Sequence, residues 1–289
     1  MAAPKILIVA KKSAYQTYFN EYHELPLKNL ASRGDKALLH IRRSHDTHYQ
    51  MLDHVKAVLK KNSIPAHVCF RGEVFDGRKY DLVISVGGDG SFLEASRRLR
   101  GQLIFGVNSD KNHSVGKLCA AGRDDFEKYF KRILKGDFKI KRLNRIKIEL
   151  NGKTLDFFAL NDILMSHACP AAMSHYVLKI GRAAERQRGS GVWVSTAAGS
   201  TAAMHSAGGR VMNETSDKIQ YLPRELFGGH GQKYRLRGGV LAPGKSLTIL
   251  SQMQEGMLYI DGAHHAIPFE YGAELKVSKG TPLKVVSFD

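Results

Sequence analysis

Asp89 lies between glycines in the run GGDG, residues 87–90, shortly after the apolar residues Leu82, Val83, Ile84 and Val86. Such a run reads as a strand buried on both faces, as in a parallel sheet. Gly87, Gly88 and Gly90 then fall at the carboxyl end of a strand, where open α/β sheets place their ligands. Lacking Cβ atoms, they can take positive φ and let backbone amides approach phosphate oxygens, and the positive end of a following helix favours the anion. Asp89 is the unusual member, because a carboxylate repels phosphates unless it holds a metal or accepts a proton. A tight strand-to-helix turn with Asp89 as a helix cap accounts for GGDG equally well. The loop alone leaves both readings open.

Two further segments put polar groups into apolar surroundings. In residues 158–170, FALNDILMSHACP, Asn161 and Asp162 interrupt a strand-like run. Polar residues there face a ligand or end the strand. An amide can bond a base or sugar, and a carboxylate can accept from a pair of ribose hydroxyls. In residues 189–209, GSGVWVSTAAGSTAAMHSAGG, a strand at 192–196 leads into the small residues Thr196, Ala197, Ala198, Gly199, Ser200, Thr201, Ala202 and Ala203. These can start a helix and let a flat ligand lie against backbone, with Ser200 and Thr201 supplying hydroxyls. A strand turning into a packed helix explains either segment singly, but both together with GGDG point to a nucleotide site.

These groups need elements to hold them. Residues 5–9, 66–70, 81–86 and 103–107 read as strands; 14–24, 46–61, 91–99 and 124–134 read as helices, with Phe92, Leu93, Ala95 and Leu99 giving 91–99 its apolar face. Strands alternating with helices imply βαβ units and a mostly parallel sheet. Strands then follow one another at 138–150, 154–165, 176–180, 192–196, 246–250, 257–260, 274–277 and 283–288, with Asn151-Gly152 as a hairpin signal. We therefore expect an α/β first domain over residues 1–120 and an antiparallel, all-β second domain over 121–271. Residues 182–191 and 226–239 read as mobile loops.

At 289 residues, 43% apolar and 25% charged, the chain has the composition of a globular protein. No stretch approaches the ~20 consecutive apolar residues of a membrane span, and the amino terminus runs straight into a strand, so a cytoplasmic protein without membrane association is expected. The net charge of +17, from 44 Lys and Arg against 27 Asp and Glu, implies anionic partners. The basic residues spread from Lys5 to Lys284 without an RNA-binding aromatic motif or zinc-finger spacing, which favours polyphosphate nucleotides over nucleic acid. Cys69, Cys119 and Cys169 form no CxxC pair and read as reduced packing residues.

Other patterns are set aside. Residues 239–246, GVLAPGKS, match the GxxxxGK[ST] phosphate loop letter for letter, but that loop requires a buried strand before it and a helix after it. Here RLRG precedes, Pro243 stiffens the middle, and the β-type run SLTIL begins at the last residue, so the segment reads as a turn between strands. His45 with His48, and His264 with His265, have no third ligand at a usable spacing and read as surface histidines.

GGDGSFLEASR resembles the GGDGT-type loop and helix of NAD kinases, a family that shares this loop with diacylglycerol-type lipid kinases and phosphofructokinases. ALND is similar to the family's Asn-acidic pair, and VSTAAGSTAAMHSAGG to its second-domain signature. GVNSD with VGKLCAA, residues 106–110 and 115–121, looks like the form found in plant NADH kinases. The resemblance implies a Rossmann-like α/β first domain to which about 272–289 return, a β-sandwich second domain, and a homodimer or homotetramer with its site in the cleft between domains. It implies transfer of the terminal phosphoryl of ATP to the 2′-hydroxyl of the adenosine ribose of NAD or NADH, with Mg2+ or another divalent cation. By motif position Asp89 would be the general base or its close partner. Gly88 and Gly90 would shape the loop for phosphates, Asn161 and Asp162 would hold the dinucleotide, Thr201, Ala202 and Ser206 would line its second half, and Ser91, Asn108, Thr196 and Ser200 would also bind nucleotide. The chain departs from the family at Ser190, where an aspartate is usual, and at Ala203, where an aromatic is usual. A lipid kinase or a non-catalytic dinucleotide sensor are the alternatives. The first should show an apolar entrance for acyl chains, of which there is no stripe, and an intact Asp89 argues against the second.

Overall fold

The computed structural model describes residues 4–22, 29, 33, 36–242 and 244–288. The chain divides into two compact units, Met1–Lys141 with Lys284–Asp289, and Arg142–Leu283.

The first unit opens with β1 (Ile6–Ala10), every residue of which is buried. A π-helical segment, Tyr15–Glu21, replaces the helix expected at 14–24, whose last two residues lie outside those described. Helix α1 (Lys36–Lys61) starts ten residues before its expected beginning. Its second half carries the readable stripe, Met51, Leu52, Val55, Val58 and Leu59, which packs with Ile6, Ile8 and Val86 in one core. The first half exposes Leu39 and charged residues and gives no such signal. Then come β2 (Ala66–Phe70), β3 (Leu82–Gly87), α2 (Asp89–Ser96), β4 (Leu103–Asn108), α3 (Phe126–Leu134) and β5 (Lys139–Leu143). With the C-terminal strand Leu283–Ser287 they form a sheet of order β2-β1-β3-β4, then that strand, then β5. The pairs β1–β2, β1–β3 and β3–β4 are parallel. The chain winds outward in one direction from β1 to β2 and in the other from β1 to β3, so the topological switch point lies at the carboxyl ends of β1 and β3.

The second unit is a β-sandwich. Its strands are β6 (Ile146–Leu150), β7 (Lys153–Ala159), β8 (Asp162–His167), β9 (Ser174–Ile180), β10 (Ala183–Gly189), β11 (Gly191–Thr196), β12 (Ile219–Arg224), β13 (Gly239–Val240), β14 (Leu247–Ser251), β15 (Gly256–Ile260), β16 (Ala266–Pro268) and β17 (Glu274–Lys279). They form two six-stranded sheets, β10-β9-β14-β17-β6-β7 and β13-β12-β11-β8-β15-β16. Alternating residues of both, among them Ile148, Leu178, Ile249 and Val277 from the first and Ile163, Val194 and Leu258 from the second, fill one core.

Several expected bounds change. The strand expected at 138–150 is two, broken at Asn144-Arg145, and that at 154–165 is two, broken at Leu160-Asn161. The expected loop 182–191 is mostly β10, an edge strand whose alternation is masked because its one buried side chain of any length is polar Gln187. The unexpected β12 carries Pro223. Cys69 is buried as expected, but Cys169 is exposed; all three thiols are free. Gly239 and Lys245 flank a turn between β13 and β14, with the Lys245 amide donating to Ala242, so no helix follows the GKS run. Among the described residues no helix is long and apolar enough to cross a membrane.

Candidate functional site

GGDG sits at the switch point. Gly87 ends β3, Gly88 caps α2 from an extended conformation, and Asp89 and Gly90 open the helix. Asp89 does not cap it: its Oδ1 accepts from the Leu118 amide at 2.8 Å. Oδ2 has no hydrogen-bond partner among the described residues. The carboxylate also faces Cys119, whose thiol is pushed up to about 12 by burial and then by the Asp89 charge.

The segment after β4 builds the wall of the loop. The Ser109 amide donates to the Gly87 carbonyl at 3.0 Å. Asn108 is spent on shape, since its Nδ2 donates to the Ser114 carbonyl at 3.1 Å and its Oδ1 accepts from the Asp110 amide at 3.1 Å. Ser114 lies so close to Gly88 that a Cβ there would overlap its hydroxyl, so this glycine is required by close approach. Ser91 is buried against Gly87 in the same way.

His48, expected at the surface, is wholly buried. Its Nε2 donates to the Lys11 carbonyl at 2.9 Å, which makes Nδ1 the acceptor for the Ser109 hydroxyl at 2.8 Å. Burial and then the Lys11 charge hold its pKa down to about 4. A neutral imidazole thus ties the end of β1 to the segment that closes over GGDG. No sequence pattern marks it, because its partners are a backbone carbonyl and a serine far along the chain.

In the second unit the two polar segments meet. The Thr196 amide and the Ser195 hydroxyl both donate to the Asn161 carbonyl, at 2.9 and 3.1 Å. Thr196 Oγ1 donates to Leu160 and accepts from the Gly199 amide. A Cβ on Gly199 would collide with the Asn161 carbonyl, so the small-residue run exists to let two backbones touch. Ser200 is equally committed: buried, its hydroxyl donates to Ala197 at 2.7 Å and accepts from the Met212 amide at 2.9 Å. Thr196 and Ser200 therefore build the turn, while Thr201 and Ser206 are exposed and Ala202 is half-buried on its outside.

The residue that sequence reading missed is Asp261. Its carboxylate accepts from the amides of Leu160, Asn161 and Asp162, the Asn161 bond being 2.7 Å. This anchor bends the chain out of β7 and into β8 and so sets Asn161. Its signal was an Asp-Gly pair closing a strand, with Asp261 at φ 51°. Asp162, 5% exposed, is pushed up to about 7 by burial and then by the Asp261 charge. A cavity of about 340 Å³ in this unit is lined by Leu164, Trp193, Tyr259, Cys169, Ser190 and Arg224 among others, and by none of the expected nucleotide ligands.

An α/β unit with a glycine-bracketed carboxylate at its switch point, followed by a β-sandwich unit with an anchored Asn-Asp pair, is the arrangement expected of a nucleotide-dependent phosphotransferase. No protein-family model matches the chain. It is 36% identical over 263 residues to a probable NADH kinase of Oryza sativa subsp. japonica, covering 83% of this chain and 81% of that one. It is 30% identical over 238 residues to an NADH kinase of Arabidopsis thaliana, covering 71% and 72%. Solved structures with the same fold include an NAD kinase from Archaeoglobus fulgidus in complex with ATP, at TM-score 0.68, 21% identity and coverage of 98% and 93%. Yeast NADH kinase complexed with NADH matches at TM-score 0.68, 15% identity and coverage of 99% and 84%. The chain belongs to the NAD kinase family, the group that includes the plant NADH kinases.

Proposed function

We propose that this protein transfers the terminal phosphoryl group of ATP to the 2′-hydroxyl of the adenosine ribose of NAD or NADH, giving NADP or NADPH. The observation that carries the reading is Asp89, held by one oxygen and without a hydrogen-bond partner at the other among the described residues, at the switch point of a chain of this family. The 2′-oxygen forms a bond to the terminal phosphorus, the bond from that phosphorus to the bridging oxygen of ADP breaks, and Asp89 Oδ2 takes the hydroxyl proton. Phosphoryl transfer asks a protein mainly for alignment and charge stabilisation. The glycines at 88 and 90, with buried Ser91 and the wall shaped by Asn108, leave room for phosphates at the loop. Asn161 and Asp162 take sugar and base, supported by Thr196 and Ser200 and lined by Thr201, Ala202 and Ser206. A divalent ion such as Mg2+ would supply charge neutralisation on the donor, and it would be held chiefly by phosphate oxygens and water, which leaves Asp89 Oδ2 to the proton.

The family shares its loop with other kinases, so the acceptor is the decisive test. Purified protein is incubated with ATP and magnesium plus NAD, NADH, diacylglycerol or fructose 6-phosphate, and the phosphorylated product is identified. NADP or NADPH is expected. A phosphorylated lipid or sugar alone would overturn the reading, as would dinucleotide binding without any turnover.

A further inference from the structure

Three strands end at one level of the first unit's sheet. Ala10 of β1 stands opposite Phe70 of β2 and Val86 of β3, so the next residues outward are Lys11, Arg71 and Gly87. The Arg71 amide donates to the Ala10 carbonyl at 2.8 Å and His48 holds the Lys11 carbonyl, which fixes both backbones at this edge. Lys11 Cγ lies 3.8 Å from where a Cβ would stand on Gly87, and Arg71 Nη1 lies 3.4 Å from that position on Gly90. Two cations from the strands on one side of β3 therefore reach the GGDG loop, Lys11 at Gly87 and Arg71 at Gly90.

Neither is neutralised. Both side chains are half-buried, and among the described residues neither makes an ion pair or hydrogen bond. The carboxylates that act on them are engaged elsewhere: Glu94 pairs with Arg97 at 2.6 Å, and Asp110 accepts from Ser44 at 2.8 Å and meets His113 at 2.6 Å. Burial lowers the pKa of Lys11, with Asp110 opposing and Arg71 adding to the fall, and burial lowers that of Arg71, with Glu94 opposing and Arg97 adding. Partly desolvated like charges without counter-ions are costly to hold together, and an anion removes that cost. Adjacent Lys12 is instead paired with Glu21 at 3.0 Å. The second unit offers the opposite field where Asp162 and Asp261 crowd together, which suits neutral sugar and base rather than a polyphosphate.

We propose that Lys11 and Arg71 together hold the polyphosphate chain of the phosphoryl donor along the GGDG loop, Lys11 at its Gly87 end and Arg71 at its Gly90 end. This rests on the kinase reading for the identity of the donor, but not for the anion site itself. Binding of inorganic tripolyphosphate, read by titration calorimetry without turnover, is compared among wild type, K11M, R71M and K12M, with KM for ATP and for NADH measured in parallel. Charge-assisted contacts of this kind predict that K11M and R71M each weaken tripolyphosphate ~10- to 100-fold and raise KM for ATP similarly, with KM for NADH and the K12M values unchanged. K11R and R71K, which keep the charge, retain most of the tripolyphosphate affinity and guard against a folding artefact. Unchanged affinity in both methionine variants overturns the proposal, as does a rise in KM for NADH in place of that for ATP. Tripolyphosphate binding by a protein that phosphorylates no dinucleotide would sink the kinase reading and leave the anion site standing.

Discussion

The amide of Leu118 donates to Asp89 Oδ1 at 2.8 Å across 29 residues of sequence. The bond joins the GGDG loop to the segment after β4 and orients the carboxylate through one oxygen only. An amide oxygen can accept the same bond, so Asp89→Asn preserves the loop while removing the proton acceptor. We expect kcat to fall by ~10²- to 10⁴-fold with the melting temperature and NADH affinity essentially unchanged. Steady-state kinetics beside a thermal melt check this, and near-normal turnover would remove Asp89 from its role.

Gly199 faces a backbone carbonyl, that of Asn161, which cannot swing aside as a side chain would. Gly199→Ala must displace either the Asn-Asp bend or the turn carrying Thr201 and Ser206. A cost of about 1–3 kcal/mol is expected for such overpacking, with a lower melting temperature and weaker dinucleotide binding. A variant with wild-type melting and NADH affinity would show that the contact is not required.

Asp162 gives the second unit a pH dependence of definite sign. Its folded pKa is raised from 3.8 to about 7 by burial and by Asp261, so the folded state holds a proton that the unfolded state has released between those values. The stabilisation is fully present below about pH 4 and is lost as pH rises through about 7. For this group, folding is therefore favoured at pH 5.5 over pH 8. Asp162→Asn, which cannot titrate, should flatten that part of the profile. Chemical denaturation of both proteins at the two pH values decides it, and parallel profiles would exclude Asp162 as the source.

Lys245 is exposed on the turn before β14. Despite the GKS run, Lys245→Ala should leave kcat and KM for ATP within about twofold, since surface substitutions away from special features have small effects. Wholesale loss of activity with the fold intact would restore the run as a phosphate loop.

What could be read without coordinates was whatever leaves a local trace. Leu82 to Val86 announce a buried parallel strand because both faces are covered, so the loop after them and Asp89 were visible at once. ALND and the run from Thr196 to Ala203 stood out because polar and small residues interrupt a strand pattern. Local traces also misled where charge hides burial, as in β10, or where an amphipathic stripe fades, as in the first half of α1.

The sequence by itself thus determined the class of each unit and the residues able to carry chemistry, since both follow from periodicities and residue types within a few positions of each other. Only the tertiary structure decided how those residues are used. It spent Thr196, Ser200 and Asn108 on building the site. It brought Asp261 under Asn161, Leu118 to Asp89 and His48 to Lys11. It also left Lys11 and Arg71 beside the loop without partners among the described residues. Each of these depends on contacts between segments distant in the chain, and hydrogen bonding to backbone leaves no mark in the order of side chains.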